Sequence, residues 1–182
     1  MKQPQRSALI TTLVRKLKEH GSWAGETHVQ KAAFLLQAGA GVPLGYDFTL
    51  YKHGPFAFDL RDDLLALRAN GVLDIEPQPE PYGPSMVTTS RASLLEAHYP
   101  KTLARYGPKV TKIAELIGNK GVVSLERLAT AYLLATEHPE LSDAEVAAAL
   151  QRVKPHIPPE GAAEAVAGVR GTLEPYFAAM GS

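Results

Sequence analysis

His53 is the polar residue best placed to do chemistry in this 182-residue chain. It follows Tyr51 and Lys52 and precedes Gly54-Pro55-Phe56, so a phenol, an amine and an imidazole arise in consecutive positions. An imidazole changes charge near neutral pH and can hold a ligand or move a proton. One histidine makes a site only with a placed partner, and the spacing supplies none. The preferred reading is a turn histidine bonded to a backbone carbonyl. A small-ligand or enzymatic module centred on His53 is the alternative.

Two charged groups stand out besides it. Asp59, Asp62 and Asp63 open a helix, where carboxylates oppose the positive end of the helix dipole and contribute a few tenths of a kcal/mol, up to about 1. Their functional reading is an acidic docking surface. They lack the loop glycine and terminal glutamate of a calcium loop. Lys101, Arg105, Lys109, Lys112 and Lys120 form the most basic region. They read as a solvated helix surface, with a nucleic-acid patch as the alternative.

The remaining motifs exclude rather than assign. His20, His28, His98, His138 and His156 are scattered near helix ends, and no H-E-x-x-H pair is present. Gly39-Ala40-Gly41 follows a helix, not a strand, which is the wrong context for a phosphate loop. There is no G-x-S-x-G elbow. The chain has no cysteine, which excludes a disulfide scaffold, a thiol nucleophile and a cysteine-ligated zinc. No catalytic residue, metal or cofactor is expected.

Composition agrees with a soluble globular protein: 45% hydrophobic and 21% charged residues. Nineteen basic residues balance nineteen acidic ones, so no overall field draws the chain to nucleic acid or anionic lipid. No apolar run is long enough for a bilayer and no signal-peptide core is seen, so a cytoplasmic protein without a membrane partner is expected.

The elements that position these residues follow from periodicity. Ser7 is expected to cap a first helix to Glu19, with Ile10, Leu13, Val14 and Leu17 as its stripe. Trp23 lies in the next turn. Thr27 and Gln30 read as a capping box opening a helix that stops at Gly39. Its wide stripe (Val29, Ala32, Ala33, Leu36, with Phe34 and Leu35) suggests a helix covered on several sides. Phe48 to Lys52 alternates as a short strand, which His53-Gly54-Pro55 breaks. Among the aromatics here, Tyr46 and Tyr51 are the candidates for a contact surface.

A third helix runs from Ala57 to Asn70. Val72–Ile75 and Met86–Ser90 pair around a loop carrying Pro77, Pro79, Pro81 and Pro84. Residues from Arg91 onward are all helical. Pro108 is placed in the first turn of a helix ending at Gly118, Ser124 as a cap, Ser142 and Glu145 as a capping box, and a last helix at 160–180. The expected fold is mainly α with a small β-hairpin (α+β). A winged-helix-like half, residues 1–90, is followed by a helical extension, 91–182, packed against it.

The run Lys31-Ala32-Ala33-Phe34-Leu35-Leu36-Gln37, then Phe48-x-x-Tyr51-Lys52-His53-Gly54-Pro55-Phe56, then Asp59-Leu60, resembles the Panacea domain, the SocA-like antitoxin family, and related proteins of the YwgA type. The likeness covers roughly residues 7–90 and is best at the Gly-Pro corner. The helical C-terminal half looks more like the YwgA-type relatives. The resemblance implies a mostly helical, non-enzymatic protein that binds other proteins, a toxin or defence effector among them. It carries over no catalytic residue. Lys52, His53, Gly54, Pro55, Phe56 and Asp59 are the matched structural or contact positions. The expected partner surface is Tyr46, Tyr51, Lys52, His53, Phe56, Asp59 and Asp62. A winged-helix nucleic-acid binder, using the basic region at 101–120, is the alternative.

Overall fold

The computed structural model describes residues 1–79 and 83–181. Its elements, in order, are α1 (Gln3–Glu19), α2 (Glu26–Ala38), β1 (Thr49–Tyr51), β2 (Gly54–Phe56), α3 (Phe58–Ala69), β3 (Leu73–Glu76) and β4 (Ser85–Thr88). Then come α4 (Ser90–Ala97), α5 (Pro100–Ile117), α6 (Val122–Glu137), α7 (Asp143–Val153), α8 (Pro159–Gly168) and α9 (Glu174–Gly181). A π-helical turn at Val169–Leu173 joins the last two into one continuous helix. The protein is thus mostly helical with two small antiparallel hairpins, β1–β2 and β3–β4. None of the helices is long and apolar enough to cross a membrane, among the described residues. Pro81 of the Pro-rich loop lies outside the described residues.

The core is built around α2. His28 to Leu36 are all buried, because α1, α3, β2, α5 and α6 all pack against that helix. This is why its apolar stripe is wide. α1 lies along α5, and α6 covers α2 and carries α7 and α8 on its outer side. One apolar cluster therefore runs from Leu9 through Leu73 and Ile113 to Phe177. At the C-terminal end of α2 the Phe177 ring sits on Gly39. A Cβ there would come within 2.2 Å of the ring.

Several helix starts differ from the sequence reading. α1 begins at Gln3, with Pro4 in its first turn, so Ser7 is an interior, buried residue rather than a cap. α2 is capped by Gly25, and α6 by Gly121, in place of Thr27 and Ser124. Gln30 is no capping partner: it is fully buried, and its amide exchanges two 3.0 Å hydrogen bonds with the N–H and C=O of Ala57. Pro108 lies inside α5, not in its first turn. The helix continues past it because Val110, Ile113, Ala114 and Ile117 are completely buried on the inner face. The Ser142–Glu145 box is present: Ser142 N–H donates to Glu145 Oε2 at 2.8 Å.

The Gly-Pro corner is also different. Gly54-Pro55-Phe56 does not break a strand; it is the second strand of a tight hairpin that turns at Lys52-His53. Pro55 stands opposite Leu50. The two-residue turn makes Tyr51 and Gly54 the hydrogen-bonded pair and Leu50 and Pro55 the next, non-hydrogen-bonded one, so the missing N–H costs no bond and the Pro55 carbonyl points away from β1.

Candidate functional site

The outward carbonyl of Pro55 is met from α2. Lys31 is 1% exposed, and its Nζ donates to Pro55 O at 2.9 Å. The next carbonyl-bearing turn residue, Lys52, accepts from Lys154 Nζ, which arrives from the C-terminal end of α7. Lys154 also donates to Glu126 Oε1 of α6 at 2.9 Å. His53 Nδ1 lies 3.3 Å from the other oxygen, Glu126 Oε2. A carboxylate only accepts, so that ring nitrogen carries the proton. Gly54, at φ +84°, lies so close to α6 that a Cβ would stand 2.4 Å from Thr130 Oγ1. Two lysines thus hold the hairpin by its backbone, while Glu126 holds one of them and the His53 ring.

The electrostatics follow from burial. Desolvation lowers the Lys31 ammonium to about 8, although Glu126 pulls the other way. Burial alone would raise Glu126. The hydrogen bond and charge of Lys154, helped by His53, outweigh it and hold Glu126 below the ordinary glutamate value. The Lys31 shift is a stability statement. The unfolded chain keeps this proton up to about 10.5 and the folded chain gives it up near 8. The unfolded state therefore binds more protons in that window, and stability rises with pH across it. Between pH 7 and pH 9.5 the gain from this group is expected to be about 2 kcal/mol. Urea unfolding at the two pH values should show it, and Lys31→Met should remove it.

On the solvent side the same hairpin and the start of α3 expose aromatic rings. Tyr51 is 53% and Phe58 41% exposed, and Phe56 is half-buried. Their centroids are 5.1 to 5.5 Å apart, close enough for edge-to-face contact. Arg61 sits 5.2 Å over Phe58. Leu65, one turn further along α3, is 52% exposed. Helical spacing puts Phe58, Arg61, Asp62 and Leu65 on one face.

The expected site residues separate into groups. Tyr51, Lys52, His53, Phe56, Asp59 and Asp62 converge on this corner, all at least partly exposed. Tyr46 does not belong to a contact surface. It is buried, its hydroxyl donates to Asp63 Oδ2 at 2.9 Å, and the Arg6 guanidinium lies 4.4 Å over its ring. Burial, reinforced by Asp63, raises its phenol. Asp63 likewise turns inward, pairing with Arg6 at 2.9 Å, instead of lying with Asp59 and Asp62 on an acidic face.

Four of the five basic residues, Lys101, Arg105, Lys109 and Lys112, recur at helical spacing along α5. Lys101, Arg105 and Lys112 are exposed on α5, Lys109 donates to Ala40 O at 2.7 Å, and Lys120 lies beyond the helix. Among the described residues no three His, Asp or Glu side chains are grouped to hold a metal.

Sequence reasoning missed Lys31, Glu126 and Lys154 as partners. The available signal was Lys31 itself, a charge within a run of nine buried positions. A scan against family models found no match for the chain, and a search of curated proteins found none either.

Proposed function

We propose that the chain is a non-enzymatic, protein-binding regulator of the antitoxin or phage-defence type, acting in the cytoplasm through the β1–β2 hairpin and the start of α3. The observation that carries this reading is the exposed cluster of Tyr51, Phe56 and Phe58 with Arg61, mounted on a hairpin whose backbone is pinned by buried ions. Aromatic and arginine side chains held in place lose little entropy on binding and supply most interface energy. Asp59, Asp62, Lys52 and His53 form a polar rim of mixed charge. The resemblance to the Panacea domain at this same corner supports the choice of partner class.

The test is capture by the tagged chain from its native host, with and without nuclease. One stoichiometric protein that survives nuclease is expected. Tyr51→Ala combined with Phe58→Ala should weaken that complex by about 2 kcal/mol or more, roughly 30-fold, without changing the circular dichroism. Capture unaffected by this variant, and by Asp59→Lys with Asp62→Lys, would remove the corner from the interface.

A second reading is a winged-helix nucleic-acid binder, favoured by the order α1, α2, α3, β3, β4 and by Lys101, Arg105 and Lys112 exposed on α5. Asp59 and Asp62 on the outer face of α3 oppose docking of that helix against phosphates. Under this reading the captured material is nucleic acid, vanishes with nuclease, and binds with a steep salt dependence.

A further inference from the structure

Away from the corner, two cavities adjoin where the α1–α2 turn meets the α5–α6 turn. One has a volume of about 260 Å³ and the other about 500 Å³. Trp23, His28 and Val122 line both. Together they reach the size that small-molecule sites have.

His28 is only 4% exposed. Its Nε2 lies 2.9 Å from the Lys120 carbonyl, which can only accept, so Nε2 carries the hydrogen. In the neutral ring Nδ1 is then an acceptor. It is buried and has no hydrogen-bond partner among the described residues. Such an acceptor destabilises a fold unless something satisfies it.

The wall beside it is strained. Ala24 has φ +51°, the one left-handed residue other than glycine among the described residues. It is completely buried, with its N–H donating to Ser22 Oγ at 2.9 Å and its carbonyl accepting from Met86 N–H at 3.0 Å. Trp23, the preceding residue, is half-buried and lies against Gly25, where a Cβ would meet the indole at 3.1 Å. Backbone strain of this kind is kept where it serves a site.

Charge distinguishes the two helix starts at the cavities. α2 carries Glu26 in its first turn, whereas α6 has glycine as its N-cap, no side-chain cap and no acid in its first turn. The first amides of α6 therefore favour an anion, with Lys120 beside them.

We propose that these cavities form one binding site for a small heteroaromatic anion of the mononucleotide class. The flat ring lies against Trp23, a ring or exocyclic N–H donates to His28 Nδ1, and the anionic group sits at the start of α6 beside Lys120. His28 Nδ1 is shielded from solvent in the unliganded chain, so admitting the ring requires the cavity wall around it to shift. Trp23 is the only tryptophan, so its emission reports the event directly.

The experiment is a fluorescence titration of the full chain with the four ribonucleoside 5′-monophosphates, their nucleosides, and ribose 5-phosphate. At least one monophosphate is expected to change the emission saturably below about 1 mM. Its nucleoside should bind about ten-fold more weakly, and ribose 5-phosphate should give no change. His28→Phe should weaken the monophosphate at least ten-fold. Val123→Glu, an exposed position in the first turn of α6 that lines neither cavity, should weaken the monophosphate and spare the nucleoside. No saturable change with any monophosphate overturns the site. So does wild-type affinity in a folded His28→Phe protein. Equal binding of ribose 5-phosphate overturns the ring, and equal binding of the nucleoside overturns the anion.

Discussion

Glu126→Ala is expected to cost the fold about 3 to 5 kcal/mol, the range for removing one partner of a buried ion pair. The Lys154 side chain is 6% exposed and Glu126 13%. Without Glu126, Lys154 keeps only the Lys52 carbonyl, and Lys31 loses the stronger of its two opposing charges. The loss comes from the ammonium groups left behind more than from the deleted contact. Glu126→Gln should therefore fall between wild type and alanine, since it keeps the acceptor and not the charge. Combining Glu126→Leu with Lys154→Met should recover most of the stability, because an apolar pair replaces the buried ions. Urea denaturation of the four proteins checks this. A double variant as unstable as Glu126→Ala would show that the carboxylate holds the hairpin by some other means. Because Glu126 titrates below its ordinary value, its contribution is complete above the usual glutamate range and is lost as pH falls through its folded-state value. The alanine variant should lack that part of the acid dependence.

Gly54→Ala should be nearly as damaging, by about 2 to 5 kcal/mol, from two separable causes. A left-handed backbone costs a residue with a Cβ roughly 1 to 2 kcal/mol, and overpacking against a fixed neighbour costs roughly 1 to 3. The first cause resides in Gly54 itself, at φ +84°; the second is the 2.4 Å approach to Thr130 Oγ1. Adding Thr130→Ala should relieve the clash and leave the backbone cost. Full recovery in the double variant would show that the hairpin adopts this conformation without strain. If the corner is the partner surface, Gly54→Ala should also weaken capture, since the aromatic cluster rides on the same turn.

Much of this architecture is legible in the sequence because it depends on local pattern. The stripes of α1 and α2, the stop at Gly39 and the Ser142–Glu145 box each come from residues within a few positions of one another, and the two strands of the β3–β4 hairpin alternate on either side of a Pro-rich loop. The β1–β2 hairpin is different. A three-residue strand containing Pro55 has little local support, and the hairpin is held because Lys31 reaches the Pro55 carbonyl and Lys154 the Lys52 carbonyl of the turn, from 24 and 102 positions away. Ser7, Thr27 and Ser124 look like caps by residue type. Glycines at 25 and 121, with extended backbone and no side-chain bond, take two of those places. Tyr46 was legible as an aromatic but not as a buried one, since its burial depends on Arg6 and Asp63, far away in the chain. The corner itself was marked by its aromatics and its Gly-Pro pair. The ions beneath it carry no spacing signal at all.

The single core has a consequence for synthesis. α1 and α2 are completed by residue 38, but α5 and α6, which cover them, end at residues 117 and 137. At about 5 to 20 residues per second, the emerging chain leaves those apolar faces bare for roughly 5 to 20 seconds. A nascent chain halted near residue 90 holds Leu9, Leu13 and Leu36 without the α5 and α6 that pack over α1 and α2 in the finished protein, which leaves it a substrate for chaperones and proteases. The hydrophobic helix at the centre of the finished protein is, while it waits on the ribosome, the part of the chain most open to capture.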